Sequence, residues 1–308
     1  MSKTSEFICP SLFVTFITFR HACLMDGEQS YRDNETTTRS SIEAFAKELG
    51  VADVRVVSLA GNQFRCGGSK EYMDWLEGTL GLVPTSFLNS TLTWRRNSNP
   101  SAGKFLFQLV DDPQNLEDAL RVHVAEGKTA RLMATYAKEW LTQKATQPHS
   151  IADAEKDFKI QYRRDGQDKL WTRIWNFAPG GDYSLYIQRP AGSKMHDDPL
   201  CEVGCPYVVR GFDYDYLGVL WMSDLVRRGD RWVAQEDHIF ETAWPRTMKA
   251  ARDNADSLEH PSVLRLLHRL ARGYRILLSR AIHGVYVWVE DEETRHYLQT
   301  RLGEQVHV

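Results

Sequence analysis

Gly204-Cys-Pro-Tyr-Val-Val-Arg-Gly-Phe-Asp-Tyr-Asp-Tyr-Leu-Gly-Val-Leu-Trp-Met222 is the stretch on which the fold turns. A glycine at 211 hinges a turn, and Leu217–Met222 is an almost unbroken apolar run, the pattern of a strand covered on both faces inside a parallel sheet. Two acids, Asp213 and Asp215, stand on alternate positions just ahead of it. The second half of the signal is Tyr274-Arg-Ile-Leu-Leu-Ser-Arg-Ala281, an apolar helix end that runs directly into Gly284-Val-Tyr-Val-Trp-Val289. A helix followed at once by a buried strand puts Arg280 at the edge of a sheet.

Outward from these two units the chain alternates strand and helix, which predicts an α/β architecture around a mostly parallel sheet. Strands are expected at 12–19, 54–59, 104–110 and 130–136, and helices at 36–49, from Ser69 to Leu80, at 113–126, at 262–280 and at 292–301. Ser69 is placed to cap its helix, and Pro113 suits a first helical turn. Residues 137–199 carry Trp140, Trp171 and Trp175 with two Pro/Gly turns, and read as an irregular excursion from the sheet.

With 308 residues, 42% of them hydrophobic, the chain can bury a large core. A net charge of −3 gives no bulk attraction to nucleic acid, so such binding would fall to local arginine clusters. Five scattered cysteines fit a reducing compartment, and a cytoplasmic location is expected. No run approaches the ~20 apolar residues of a membrane span, so no membrane association is expected.

Arg210-Gly-Phe-Asp-Tyr-Asp-Tyr216, the Tyr274–Arg280 helix end and Gln63-Phe-Arg-Cys-Gly-Gly-Ser69 together resemble motifs V, VI and IV of superfamily 1 helicases. More specifically, they are similar to the Schlafen group 3-like DNA/RNA helicase domain family, over about residues 22–298. The resemblance implies a RecA-like fold of the P-loop NTPase superfamily, here the second lobe of a helicase core. Residues 1–33 would be a remnant of the first lobe and 34–308 the second.

It also implies roles. Arg280 would neutralise charge on the γ-phosphate from across a domain gap. Arg65 would contact the nucleotide, a planar fork of donors suited to phosphate oxygens, or else pair with a neighbouring carboxylate. Asp213, with Gly211 at its turn, stands where a glutamate meets the ribose, one methylene shorter, and Arg210 replaces a usual glutamine. Gln29, in Asp26-Gly-Glu-Gln29, matches a phosphate-sensing glutamine, although a surface turn is an equally simple reading. Arg265, Arg269 and Arg272 share a helix face and Trp140 or Trp171 could stack on bases, with a solvated face and a packed core as the alternatives.

ATP and Mg²⁺ are implied as cofactors and DNA or RNA as partner, but neither Walker motif is found. Gly127-Lys128-Thr129 ends like a phosphate loop, yet Val122 stands where its first glycine belongs, and a helix precedes and a strand follows, the reverse of the required order. The expectation is therefore an ATPase lobe inactive alone, which would need a separate first-lobe protein or self-associate. A non-catalytic nucleic-acid- or protein-binding module derived from a helicase lobe is the alternative.

Overall fold

The computed structural model describes residues 14–17, 20–23, 39–50, 65–83, 92–97, 104–176, 189–208 and 212–304, with side chains from residue 43 onward. Gln29, Arg210, Gly211, Gln63 and the strand expected at 54–59 lie outside the described residues.

Two short strands, β1 (Val14–Ile17) and β2 (Arg20–Cys23), pair antiparallel as a sheet of their own, Val14 opposite Cys23. Only residues 18 and 19 separate them, far too few for the crossover that a parallel pair needs. Helix α1 (Arg39–Glu48) ends at Gly50, whose φ of +72° supplies a left-handed stop. Helix α2 (Lys70–Thr79) starts on Ser69, whose hydroxyl accepts from the Tyr72 N–H at 3.1 Å.

The remaining elements are β3 (Leu106–Val110), α3 (Pro113–Ala125), β4 (Ala130–Ala134), the hairpin β5 (Phe158–Arg164) and β6 (Gln167–Trp175), α4 (Lys194–Asp197), β7 (Glu202–Gly204) and β8 (Tyr214–Trp221). After them come the hairpin β9 (Leu225–Arg228) and β10 (Arg231–Ala234), α5 (Pro245–Arg252), α6 (Pro261–Leu278), β11 (Ala281–Val289) and α7 (Glu292–Arg301). Seven strands form one sheet in the order β3-β11-β8-β4-β7-β6-β5. Every neighbouring pair is parallel except β5 with β6. The fold is thus α/β, a mostly parallel sheet flanked by helices in the RecA-like manner.

Strand β8 lies between β11 and β4 and is covered on both faces, as its apolar run requires. Gly218 lets α3 close on one face: a Cβ there would stand 2.7 Å from Leu120 Cδ1. Three residues further, on the opposite face, the Trp221 ring stacks 4.0 Å from that of Tyr274 on α6. The Tyr274 hydroxyl donates to Asp224 Oδ1 at 2.5 Å and Thr135 to Oδ2 at 2.6 Å, tying α6 to the ends of β8 and β4.

The 137–199 segment contributes more than an excursion, because its β5–β6 hairpin extends the sheet, Ile174 opposite Glu202 of β7. Trp171 is buried and donates to Glu117 at 2.9 Å, and Trp175 is buried too. Base stacking by Trp171 is therefore excluded; it packs in the core, since an indole needs only one polar partner to be covered.

Candidate functional site

Because β3, β11, β8 and β4 run parallel side by side, their N-terminal ends share one edge of the sheet. Arg280 precedes β11, Asp213 precedes β8, Asp215 is its second residue, Thr129 precedes β4, and Lys104 lies just before β3. Chain reversals at one edge bring these residues within reach, although they are far apart in sequence.

Arg65 reaches the same edge through a left-handed turn. Cys66, Gly67 and Gly68 have φ of 56°, 62° and 70°. Such a run suits glycine and strains a cysteine by about 1–2 kcal/mol. Gly67 is pressed so close to β3 that a Cβ would meet the Lys104 carbonyl oxygen at 2.5 Å. Cys66 is fully buried, its Sγ 3.6 Å from the Ser279 carbonyl beside Arg280. Held at both points, the turn directs Arg65 Nε to Asp213 Oδ1 in an ion pair. Arg65 thus pairs with a neighbouring carboxylate, and that carboxylate belongs to another residue of the expected site.

Arg280 follows the end of α6, where its backbone carbonyl accepts from the Tyr214 N–H at 3.5 Å. The residue is only 1% exposed, so its guanidinium lies within the fold and does not project from it. Arg131, at the head of β4, is 2% exposed, and its guanidinium carbon is 5.7 Å from the centre of the Tyr214 ring. Burial pushes the Tyr214 hydroxyl up to about 12, against the opposing pull of Arg131 and Arg280. Neither Arg131 nor Tyr214 was singled out from the sequence; an arginine inside an otherwise apolar strand (Ala130-Arg-Leu-Met-Ala134) was the available signal.

Asp215 is engaged differently. The Thr129 N–H and hydroxyl both donate to its Oδ2 at 2.8 Å, and its own N–H donates to Thr129 Oγ1 at 2.8 Å. His283 Nε2 lies 3.4 Å from the other oxygen. Burial raises this carboxyl, and the Thr129 hydrogen bonds, with Lys128 and His283, outweigh it, so it is held below the usual range. The clamp also explains Gly127-Lys128-Thr129. Gly127, φ +79°, ends α3, and Thr129 fastens β4 to β8, a structural use of a phosphate-loop-like tripeptide.

Tyr274 and Arg275 of the helix-end motif anchor α6, the first to Asp224 and the second to Glu77 of α2 at 2.7 Å. Arg269 lies over Trp244, 5.8 Å from its ring centre, while Arg265 is exposed.

The arginines at this edge carry planar, permanently charged forks of the kind that suit phosphate oxygens, with Arg65 engaged by Asp213 and Arg280 buried. They do not fit Mg²⁺, which needs free oxygen ligands. Asp213 is engaged by Arg65 and Asp215 by Thr129, and no group of three or more His, Cys, Asp or Glu that could hold a metal occurs among the described residues. No helix among them is long and apolar enough to cross a membrane.

Residues 21–291 match the Schlafen group 3, DNA/RNA helicase domain. The chain belongs to that family. A relative in Saccharomyces cerevisiae, described as "Uncharacterized protein YPL245W", is 22% identical over 276 residues, covering 87% of this chain and 53% of its own length. The chain thus spans about half the length of the curated relative it matches. No solved structure matches it.

Proposed function

We propose that this chain acts as the second RecA-like lobe of a nucleic-acid-dependent ATPase, contributing nucleotide contacts to a site completed by another lobe. The observation that carries this reading is the convergence of Arg65, Asp213 and Arg280 on one sheet edge, the first two joined across 148 residues of sequence. In this scheme Asp213 takes the ribose and the arginines take the phosphates. Gln29 would sense the terminal phosphate, and Gly211 would hinge the turn that presents Asp213. The partner lobe would supply the phosphate loop and the Mg²⁺ ligands. DNA or RNA would be held through its backbone.

The burial of Arg280 favours a second reading. An arginine acting across a domain gap must present its guanidinium, whereas a fully packed one serves a binding module without turnover. Hydrolysis assays on the full chain, with and without single-stranded DNA or RNA, separate the readings from an outright enzyme. We expect ATP to bind at millimolar concentration and hydrolysis to stay at background. Hydrolysis by the chain alone that copurifies with the wild type and vanishes in Arg280→Ala would overturn the need for a second lobe. Failure of ATP to bind at all would leave the non-catalytic module.

A further inference from the structure

Asp213 engages Arg65 through one atom on each side, Nε donating to Oδ1. A guanidinium carries N–H donors on all three nitrogens, and this pair uses the Nε edge alone. Among the described residues nothing accepts from either Nη nitrogen of Arg65, and nothing donates to Asp213 Oδ2. Both side chains are partly exposed, and neither Nη is a buried atom lacking a partner, so solvent reaches the unused groups.

The backbone of Arg65 is held more firmly than its side chain. Gly67 is pressed on the Lys104 carbonyl and the Cys66 thiol meets that of Ser279, while a long flexible stem carries the guanidinium beyond this anchor. Ordering such a stem costs rotamer entropy each time a ligand is bound. As a charge, a carboxylate beside an arginine weakens its pull on an anion, so Asp213 opposes phosphate binding electrostatically. What it can add is orientation, because an acceptor on the Nε edge fixes the plane of the guanidinium and leaves the Nη fork open.

We infer that Asp213 is a positioning residue for Arg65: Oδ1 holds the guanidinium by Nε and presents the two Nη groups to two oxygens of a polyphosphate. Oδ2 is left for a ribose hydroxyl, so one carboxylate serves both ends of a nucleotide. The inference deepens the proposed function and rests on it for the nucleotide, but the role it adds concerns the polyphosphate alone.

The test uses the full-length chain and isothermal titration with inorganic tripolyphosphate, which has no ribose, and with ATP. Asp213→Asn and Asp213→Ala both remove the charge, but only asparagine keeps an acceptor oxygen for Arg65 Nε. A difference between the two variants therefore reports orientation and not charge. The asparagine variant should bind tripolyphosphate at least as tightly as the wild type, and the alanine variant about fivefold more weakly than asparagine, the usual net worth of one hydrogen bond. ATP should show the same order. The difference should vanish in an Arg65→Ala background, since Asp213 acts through Arg65. Equal tripolyphosphate affinity of the two variants, or a difference that survives Arg65→Ala, would overturn the inference. A difference with ATP alone would place Asp213 on the ribose only, overturning the inference and leaving the proposed function standing. An Arg65-dependent difference with tripolyphosphate and no binding of ATP would support the inference while the nucleotide reading failed. Binding of neither ligand by any of the proteins would overturn both.

Discussion

Arg65 and Asp213 form an ion pair across 148 residues of sequence, linking the turn before α2 to the residue just before β8. Their side chains are 29% and 50% exposed, so solvent screens the pair. A double-mutant cycle of Arg65→Ala and Asp213→Ala in urea should give a coupling of about 0.5 kcal/mol, within the range of exposed pairs. A coupling above about 2 kcal/mol would make the pair a structural strut and weaken its assignment to a ligand.

Gly67 and Gly127 both have positive φ, but only Gly67 faces a neighbour. A Cβ at Gly67 would stand 2.5 Å from the Lys104 carbonyl oxygen, whereas one at Gly127 would meet nothing within 4 Å. Gly127→Ala should therefore cost about 1–2 kcal/mol, the left-handed strain alone. Gly67→Ala should cost about 3 kcal/mol or more, because the backbone must shift as well. Urea midpoints at constant slope measure both. Equal losses would mean that the turn is not pressed against β3.

Tyr72 donates a 2.8 Å hydrogen bond to the Leu278 carbonyl in the core, fastening α2 to the end of α6. Tyr72→Phe should lose about 1–2 kcal/mol, since it strands a buried carbonyl oxygen. Chemical denaturation gives the figure. An unchanged midpoint would show that the two helices are held by packing alone.

Asp224 supplies a pH signature. Burial raises its carboxyl from an ordinary 3.8 to about 6, despite hydrogen bonds from Thr135 and Tyr274. Below pH ~4 the proton is bound in both folded and unfolded chains. As pH rises toward 6 the unfolded chain releases it while the folded one retains it, so this contribution to stability falls across that window. A shift of about two units corresponds to about 3 kcal/mol. The stability difference between wild type and Asp224→Asn should change by that order between pH 4 and 6.5. A difference independent of pH would mean that Asp224 is ionised in the fold at no cost.

Much of the scaffold was legible because it is written in local chemistry. Ser69 capping α2, Pro113 opening α3, and the span Glu292–Arg301 of α7 follow from side chains acting on their own backbone. The apolar run after Asp215 announced a strand covered on both faces, and β8 is one. The β9–β10 hairpin was not anticipated, and β5 and β6 were hidden in a segment whose tryptophans and charges show no clean alternation; their burial depends on partners such as Glu117 on α3.

The sequence by itself determined the family, the α/β class and the motif residues, because turns, caps and apolar runs depend on neighbours along the chain. Only the tertiary structure decided what those residues meet. It paired Arg65 with Asp213, buried Arg280, gave Thr129 to Asp215, and set Arg131 beside Tyr214. The physical reason is that a parallel sheet gathers the starts of strands distant in sequence onto one edge. Charge pairing there depends on register and crossover, which residue spacing does not encode.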